Sequence, residues 1–324
     1  MKRVLVTGGA GYIGGTVSIL LRDAGYSVTV LDNLTHARRE AVPAGVNFIE
    51  ADIADRPMVE AALRELRPDG VLHFAALIEA GESMVKPEIY FRNNTASTLS
   101  LLEAMLAADV KNLVFSSTAA VYGEPDVTPI PETAKLQPTN AYGESKLLVE
   151  QMLAWFQRVH GFKTATLRYF NVAGALDGRG EQHEPETHLI PIILDTALGK
   201  RKSIAIYGDD YDTPDGTCIR DYIHVADLAN AHIRALERLH EHGRILVNLG
   251  NGKGFSVKAV IEAARRVTGA VIPAEVKPRR PGDPARLVAS SEQARELLGW
   301  EPEHADLDEI VASAWKWHQQ RFGA

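Results

Sequence analysis

The sequence predicts an α/β fold with a doubly wound parallel sheet, followed by a smaller mixed α/β domain. Short apolar runs rich in β-branched residues alternate with helical stretches through the first half of the chain. Several of these runs are apolar throughout, as expected for parallel strands that helices cover on both faces. A glycine-rich turn also joins the first predicted strand to the first predicted helix. The three observations together indicate a sheet of βαβ units.

The predicted elements divide the chain into two parts. The strands of the first half are predicted at residues 4–7, 28–31, 46–50, 71–74, 113–116 and 164–168, and the helices at 13–24, 58–66, 95–108 and 142–160. The second half contains a short strand at 204–207, a strand-like run at 247–249, and helices from Asp227, near 257–268 and at 307–322. A polar run rich in Gly, Glu and His separates the halves, so we predict domains at residues 1–171 and 172–324, with the alternative that later segments pack back on the first domain.

Composition excludes several classes of protein. The chain has 324 residues, enough for a full core, and 45% hydrophobic with 24% charged residues is typical of a globular protein. A formal net charge of −7 argues against a nucleic-acid partner. The sequence has no apolar run of membrane-spanning length and no signal pattern, which predicts a cytoplasmic protein without a membrane partner. The single Cys218 excludes an internal disulfide and a four-cysteine zinc site.

The turn after the first strand has the pattern of a dinucleotide site. Gly8, Gly11 and Gly14 are spaced Gly-x-x-Gly-x-x-Gly between a strand and a helix. Glycines at these positions allow a tight turn, close approach of a diphosphate and close helix–strand packing. Asp32 closes the second strand, where a carboxylate accepts hydrogen bonds from the adenosine ribose and repels a 2′-phosphate. We therefore predict a Rossmann-type domain that binds NAD, although Asp32 is also a common turn or capping residue.

Further cofactor candidates follow the later strands. Asp52 and Ile53 come after the third strand and are placed to reach an adenine edge. Phe74, Ala75 and Ala76 follow the fourth strand, where small residues let backbone lie against a cofactor. Each is also compatible with core or loop packing. Three basic residues after Asp32 weaken the preference for NAD over NADP, because basic groups could bind a 2′-phosphate. They are His36, Arg38 and Arg39. His73 is predicted to be a hydrogen-bonded core histidine, and Asn93 and Asn94 are alternatively helix caps.

The catalytic candidates are Tyr142, Lys146 and Thr118. A Tyr and a Lys four residues apart share one helix face, and a nearby ammonium lowers a phenol pKa toward the range of a useful base. Thr118 ends an apolar strand-like run that closes in hydroxyl residues, as when a buried strand runs into a cleft. A Tyr-x-x-x-Lys spacing also occurs on solvated helix faces, so the dinucleotide pattern upstream is what favours catalysis.

Two polar segments of the second half have weaker interpretations. His183 and His188 lie among Glu181, Glu184 and Glu186, but their spacing fits no standard ligand set, so no metal site is predicted. Arg279 and Arg280 stand in a Pro/Gly loop that suits a diphosphate or is simply a solvated basic turn.

With these motifs assembled, the chain resembles the extended short-chain dehydrogenase/reductase family, and within it the nucleotide-sugar 4-epimerases. The resemblance runs nearly end to end, and the matching segments are residues 7–14, 73–76, 81–83, 115–122, 142–146, 168–171, 215–217, 220–225 and 279–283. The segment Asp-Gly-Thr-x-x-Arg-Asp-Tyr-Ile-His-Val is the one most specific to the epimerases.

The resemblance implies an activity and a set of site residues. It implies that UDP-galactose and UDP-glucose interconvert by transient oxidation at sugar carbon 4, in galactose metabolism, with NAD regenerated in each cycle. Tyr142 would be the base, Thr118 would hold the hydroxyl, and Lys146 would bond the nicotinamide ribose. The implied NAD contacts are Tyr12, Ile13, Asp32, Asn33, Asp52, Ile53, Phe74, Ala75, Ala76, Asn94 and Phe170. The implied UDP-sugar contacts are Asn171, Leu189, Tyr207, Arg220, Arg280 and Asp283, with Tyr207 near uracil and the arginines near the diphosphate.

The chain departs from the family pattern at two positions. Ile78 stands where many relatives carry a Lys beside the cofactor, and His188 stands where many carry an Asn near the substrate diphosphate. Leu287, four residues after Asp283, stands where a bulky Tyr blocks an N-acetyl group, which implies that the N-acetylated sugar pair is also accepted. The family further implies a homodimer through the helices at 95–108 and 142–160, with Trp155 and Phe156 as apolar candidates for the interface.

Three other functions are compatible with this scaffold to different degrees. Nucleotide-sugar 4,6-dehydration needs an acid beside the Thr, whereas Ala119 and Ala120 follow Thr118. Epimerases of UDP-pentoses would use the same residues and stay possible. A redox-sensing NAD-binding regulator need not keep Thr118, Tyr142 and Lys146, so their presence favours an enzyme.

Overall fold

The structure, a computed structural model, describes residues 2–176, 178–183, 185–280 and 283–322. The strands are β1 Arg3–Thr7, β2 Ser27–Asp32, β3 Asn47–Glu50, β4 Gly70–His73, β5 Asn112–Thr118, β6 Lys163–Tyr169, β7 Asn171–Ala173, β8 Ile204–Tyr207, β9 Ile219–Arg220, β10 Tyr222–His224, β11 Arg244–Leu249, β12 Phe255–Ser256, β13 Ala274–Lys277 and β14 Arg286–Leu287. The helices are α1 Tyr12–Asp23, α2 Arg56–Leu66, α3 Ala80–Ser83, α4 Pro87–Tyr90, α5 Ser97–Ala107, α6 Ala141–His160, α7 Leu189–Ala197, α8 Val225–His242, α9 Val257–Thr268, α10 Glu292–Leu298 and α11 Leu307–Phe322.

A seven-stranded parallel sheet forms the centre of the molecule, in the order β11-β6-β5-β4-β1-β2-β3. The order reverses between β1 and β4, so helices cover both faces and the strands are buried, as their unbroken apolar runs predict. The predicted doubly wound parallel sheet is confirmed. Parallel strands place their carboxyl ends at one edge, and the loops after β1, β2, β4 and β5 therefore meet there.

One strand of this sheet comes from beyond the predicted domain boundary. β11 pairs in parallel with β6, from Arg244 opposite Thr164 to Leu249 opposite Tyr169. α8, which precedes it, packs into the same apolar core as β1 and β2 through Leu228, Leu236 and Leu239. The sequence does not show which segment returns, because 74 residues of other structure, 170–243, separate this strand from β6. Residues 225–249 therefore complete the first unit structurally.

The rest of the second half forms small sheets around its own core. β7 pairs with β10, β8 with β13, and β9 lies between β12 and β14. Apolar residues of α7, α9 and α11 pack together beside these strands. Within the described part of the chain, we find no helix long and apolar enough to cross a bilayer.

A buried ion pair ties the long helix α6 to the sheet. Arg168 of β6 donates from Nε and Nη2 to the two carboxylate oxygens of Glu150, at 3.0 and 2.5 Å. The side chains are only 3% and 9% exposed. Ser117 and Tyr122 complete the network, since the Ser117 hydroxyl donates to Glu150 and Arg168 Nη1 donates to the Tyr122 phenol. Every polar group at this junction is thereby hydrogen-bonded to a partner on another element.

Candidate active site

The glycine turn has the geometry that its sequence predicts. Gly8 has φ of +72°, and a Cβ there would lie 2.5 Å from the Ala75 nitrogen, so only glycine fits. A Cβ at Gly14 would lie 2.4 Å from the Gly8 carbonyl oxygen, which shows how closely α1 packs on the turn. Gly11 is the N-cap of α1 and has no side chain to bond the free N–H groups. The helix therefore presents unpaired donors and a positive dipole end toward the carboxyl edge of the sheet.

Asp32 lies against this turn. Its Oδ2 accepts from the Ala10 N–H at 3.0 Å, and its Oδ1 accepts from the Leu34 N–H at 2.9 Å. Asn33 Nδ2 donates to Asp52 Oδ2 at 2.8 Å, which places these two predicted cofactor residues side by side. Ile53 is different, because its side chain is buried in the core beneath the sheet edge. Its backbone, rather than its side chain, is left for a cofactor contact.

A cavity of about 800 Å³, the main cavity, opens from the glycine turn. Predicted cofactor residues on its wall are Gly8, Gly11, Tyr12, Ile13, Gly14, Phe74 and Ala76. Ile78 and Glu79 line it on the side of the loop after β4, and Tyr169 lines it from the end of β6. Its volume is in the range of small-molecule and cofactor sites. The cavity therefore joins the dinucleotide turn to the loops at the sheet's carboxyl edge.

Thr118 and Tyr142 come from two elements, β5 and α6, that reach this edge. Thr118 is the last residue of β5, and its Oγ1 accepts from the Ala120 N–H at 3.1 Å. Tyr142 lies in the first turn of α6, where Asn140 caps the helix by accepting from the Gly143 N–H at 2.8 Å. Thr118 is 8% exposed, and Tyr142 is half-buried. The structure thus places the strand-end Thr and the helix Tyr at the same edge of the sheet, and their catalytic roles stay a prediction.

Lys146 follows one turn later and is buried. Its Nζ donates to the Ser116 carbonyl at 3.0 Å and lies 5.0 Å from the centre of the Phe115 ring. The Ser116 hydroxyl in turn shares a 2.7 Å hydrogen bond with the Tyr169 phenol. The sequence analysis did not assign Ser116 or Tyr169, although both lie within the quoted motif segments.

The pKa directions at this pair correct one expectation. Burial raises the pKa of Tyr142; the hydrogen bond with Thr118 lowers it, and the charge of Glu79 raises it, with a net rise. Burial lowers the pKa of Lys146 to about 7. The expectation that Lys146 lowers the Tyr142 pKa is therefore wrong for these residues by themselves. A buried lysine that is only about half protonated near neutral pH supplies too little positive charge to offset desolvation of the phenolate.

His73 is a hydrogen-bonded core residue, as predicted. Its Nδ1 lies 2.7 Å from the Thr7 hydroxyl and its Nε2 lies 2.8 Å from the Thr98 hydroxyl. Thr98 donates its single proton to the Asn94 carbonyl, so Nε2 must be the donating nitrogen and Nδ1 the acceptor. Burial, with the nearby Lys146 charge, lowers the pKa of His73 to about 3, so it stays neutral.

Asn94 positions the loop after β4 instead of capping a helix. It lies in a π-helical turn, Phe91–Ala96, which precedes α5. Its side chain accepts from the Leu77 N–H at 2.8 Å and donates to the Leu77 carbonyl at 2.9 Å. It also donates to the Ser145 hydroxyl, between Tyr142 and Lys146 on α6. Single π-helical turns inside helices often mark functional sites, and this one connects the loop to the catalytic helix.

Glu79 is a functional candidate that the sequence analysis missed. Its carboxylate pairs with His183 Nε2 at 2.8 Å and accepts from the Thr187 hydroxyl at 3.0 Å. His188 pairs instead with Glu186 at 2.8 Å. The histidines are thus occupied by separate carboxylates, and no cluster suited to a metal ion is found in the ranges that the structure describes. Glu184, named with them in the sequence analysis, lies outside those ranges.

A second pocket, of about 530 Å³, is lined by two of the predicted substrate residues, Arg280 and Asp283. Arg280 lies over the Tyr207 ring, with 4.0 Å from its Cζ to the ring centre. Arg220 and Asp283 form an ion pair. Arg279, which lines the same pocket, donates from Nε to Asp210 Oδ1 at 2.6 Å. Pro281 and Gly282 of the predicted Pro/Gly loop lie outside the described residues.

The remaining predicted substrate residues are more dispersed. Leu287 stands opposite Arg220 in the β9–β14 pairing and packs against a buried cluster that contains Phe170. Asn171, in β7, is exposed. Leu189 begins α7 and packs partly into the core of the second half. The structure therefore brings Leu287 beside Phe170 and Arg220, and leaves Asn171 and Leu189 outside that contact.

The fold and this arrangement define an α/β enzyme that binds a dinucleotide at a Rossmann turn and presents a Thr–Tyr–Lys set at the strand ends. The sequence model for the NAD dependent epimerase/dehydratase family matches residues 4–250, and the chain belongs to that family. The chain is 54% identical over 317 residues to a UDP-glucose 4-epimerase of Streptomyces lividans, which covers 98% of this chain and 96% of the relative.

Solved structures agree with this assignment. A UDP-glucose 4-epimerase from Brucella ovis in complex with NAD superimposes with a TM-score of 0.95, at 43% identity, over 100% of this chain and 99% of that one. One from Bifidobacterium longum in complex with NAD+ and UDP gives a TM-score of 0.93, at 40% identity, over 99% of each chain. These comparisons confirm the resemblance described from the sequence and the prediction of NAD as the cofactor.

Proposed function

We propose that this protein interconverts UDP-galactose and UDP-glucose by NAD-dependent oxidation and reduction at sugar carbon 4. The observation that carries the proposal is the placement of Thr118, Tyr142 and buried Lys146 at the sheet edge where the main cavity opens. Residues 1–171, completed by residues 225–249, would hold NAD, and the rest of the residues from 172 would hold most of the UDP-sugar. The names of the relatives support the same substrate pair.

The roles of the side chains follow from this geometry. Thr118 orients the sugar 4-hydroxyl, and Tyr142 takes its proton while carbon 4 loses a hydride and becomes a ketone. NAD supplies the hydride acceptor, and its oxidised ring adds the positive charge that favours a phenolate. Lys146 stabilises the phenolate from one turn away. After the keto sugar turns over, carbon 4 takes the hydride back on its other face and Tyr142 returns the proton, so no second substrate is consumed.

The second pocket suits the nucleotide half of the substrate. Arg280 over Tyr207 offers an aromatic surface with an adjacent cation, which fits uracil and a diphosphate. Arg220 is held by Asp283, and its planar guanidinium suits bidentate phosphate contacts. Dehydration is disfavoured because Ala119 and Ala120 offer no acid beside Thr118. UDP-pentoses would meet the same residues and are natural comparison substrates.

The proposal is tested with purified protein and UDP-galactose in the absence of added oxidant. UDP-glucose should form with catalytic turnover. A separate sample of the pure protein, when denatured, should release NAD(H) in near-stoichiometric amount, because the cofactor is recycled in place. A protein that releases only NADP, or that binds NAD but turns over no UDP-sugar, would contradict the proposal.

We further propose that Leu287 admits N-acetylated sugars. Leucine is smaller than tyrosine and carries no hydroxyl, and here it packs beside Phe170. Apolar pockets discriminate small groups by about 1–3 kcal/mol unless they are sterically closed. UDP-N-acetylglucosamine should therefore be turned over more slowly than UDP-glucose, and Leu287→Tyr should suppress this activity while leaving hexose turnover largely intact. Both activities are measured in both proteins, and an equal loss of the two would show that Leu287 is not the gate.

We also propose a homodimer through α5 and α6. Trp155 and Val159 on α6 are each 61% exposed, and Leu99 on α5 is 39% exposed, which leaves apolar surface on neighbouring helices. Phe156, the other predicted interface residue, contributes to the core instead, with its ring 5.3 Å from that of Phe162. Light scattering at micromolar concentration should give twice the chain mass, and Trp155→Glu should shift it toward the monomer. A wild-type monomer would refute the proposal.

A further inference from the structure

An arginine from the second half of the chain reaches into the glycine turn. Arg179 Nη1 donates to the carbonyl oxygen of Gly11 at 2.9 Å and of Ala10 at 3.3 Å. Its Nη2 donates to the Ala41 carbonyl. A Cβ at Gly15 would lie 2.3 Å from Arg179 Nη1, so the guanidinium rests directly on the first turn of α1. Arg179 also lines the main cavity at this end.

The charge of Arg179 has no anion beside it in the described part of the chain. The acceptors named above are all neutral backbone carbonyls, and burial lowers the pKa of the guanidinium. Arg179 is half-buried, and a partly desolvated cation is costly unless an anion compensates it. The N-terminus of α1 adds a positive dipole end at the same place, which repels a cation further and attracts an anion. The guanidinium and the helix end therefore both favour an anion as their partner.

The segment that carries Arg179 lines the main cavity. We call residues 174–176 and 178–183 the strap. Its first residue, Gly174, accepts a 2.6 Å hydrogen bond from the Tyr12 phenol, and the Glu181 carbonyl accepts one of 3.2 Å from Trp317 Nε1. His183 then pairs with Glu79 across the cavity. Arg179, together with the Gly174 contact to Tyr12, connects the strap to the dinucleotide turn.

We propose that Arg179 is a cofactor-binding residue whose counter-ion is the diphosphate of bound NAD. The inference rests on the proposed function, because it takes NAD as the resident cofactor. The diphosphate carries negative charge to a place where a fixed guanidinium and a helix N-terminus already converge. Arg179 thereby supplies, from the second half of the chain, a positive charge that Ile78 does not supply on the loop after β4. Release of NAD would then require the contact between Arg179 and the diphosphate to break.

The test separates charge from tethering with two matched variants of the holoenzyme. Arg179→Lys and Arg179→Met both lose the planar fork that binds three carbonyls, but only Arg179→Met loses the charge. The rate at which bound NAD exchanges for radiolabelled NAD should rise by about 10- to 100-fold in Arg179→Met, as for loss of a charge-assisted hydrogen bond. The rise should be much smaller in Arg179→Lys. Arg238→Met, at an exposed surface ion pair, should leave the rate unchanged.

Each other outcome has a definite meaning. Equal acceleration in Arg179→Lys and Arg179→Met would show a tether without a counter-ion role, and an unchanged rate in Arg179→Met would show no role; either overturns the inference. If Arg179→Met does not fold by circular dichroism, Arg179→Gln replaces it as the neutral variant. A wild-type protein that contains no NAD would instead contradict the proposed function, and the two failures are thus distinguishable.

Discussion

Tyr142→Phe should abolish almost all epimerisation while leaving NAD bound. The substitution removes one phenolic oxygen and little volume, so α6 and the neighbouring core should keep their packing. A positioned acid–base group contributes about 10²–10⁴-fold, and kcat should fall by that factor. The same variant should fail to reduce its bound NAD when UDP-glucose is added, which is followed by the absorbance of the reduced nicotinamide.

A second tyrosine serves as the control for this prediction. Tyr26 also has a hydrogen-bonded phenol, which donates to Glu237 at 2.8 Å. Tyr26 is not among the residues that line the main cavity. Tyr26→Phe should retain turnover close to that of the wild type. If Tyr142→Phe retained wild-type kcat with its NAD content unchanged, another group would have to take the proton, and the assignment of Tyr142 would fail.

Glu150→Gln should lower the stability of the folded protein more than other single changes on α6. The substitution preserves shape but leaves the guanidinium of Arg168, whose side chain is 3% exposed, without its carboxylate. Breaking a buried ion pair from one side costs about 3–5 kcal/mol, because an uncompensated charge remains in the core. The free energy of unfolding in urea, measured at one fixed NAD concentration, should fall by that amount.

An exposed ion pair provides the comparison. Arg56 and Glu103 are paired at 2.8 Å with side chains 46% and 44% exposed, so Glu103→Gln should change the free energy of unfolding by no more than about 1 kcal/mol. A double variant that replaces Arg168 and Glu150 by Met and Leu should recover part of the loss, since no charge is then left alone. Equal effects of Glu150→Gln and Glu103→Gln would show that water reaches the Arg168 site.

This ion pair also bears on the active site. Tyr142, Lys146 and Glu150 are spaced four residues apart and share one face of α6. Glu150 binds Arg168 at the end of β6, and Lys146 binds the Ser116 carbonyl at the end of β5. The helix is therefore held against two strand ends at successive turns. In the Glu150→Gln protein, kcat should consequently fall more than other kinetic parameters, because kcat depends most on the position of Tyr142.

Patterns among neighbouring residues were sufficient to predict much of the secondary structure and the glycine turn. The glycine spacing, the strand runs and the helix at 142–160 depend on backbone conformation and on apolar periodicity, both of which are written in neighbouring residues. The helices at 257–268 and 307–322 and the strand at 204–207 coincide with α9, α11 and β8 for the same reason. The i, i+4 relation of Tyr142 and Lys146 is likewise a property of any helix. Local sequence patterns therefore predicted the Rossmann unit and pointed to Thr118, Tyr142 and Lys146 as catalytic candidates.

Features that depend on segments far apart in the chain emerge only when the chain is folded. The tertiary structure placed β11 at the edge of the central sheet, and it brought Arg179 to the glycine turn and Glu79 to His183. It also set the direction of the Tyr142 pKa, because burial by residues far along the chain outweighs the neighbouring lysine. Burial and charge compensation are sums over everything that surrounds a group, and sequence spacing carries information only about the groups within a few turns of it.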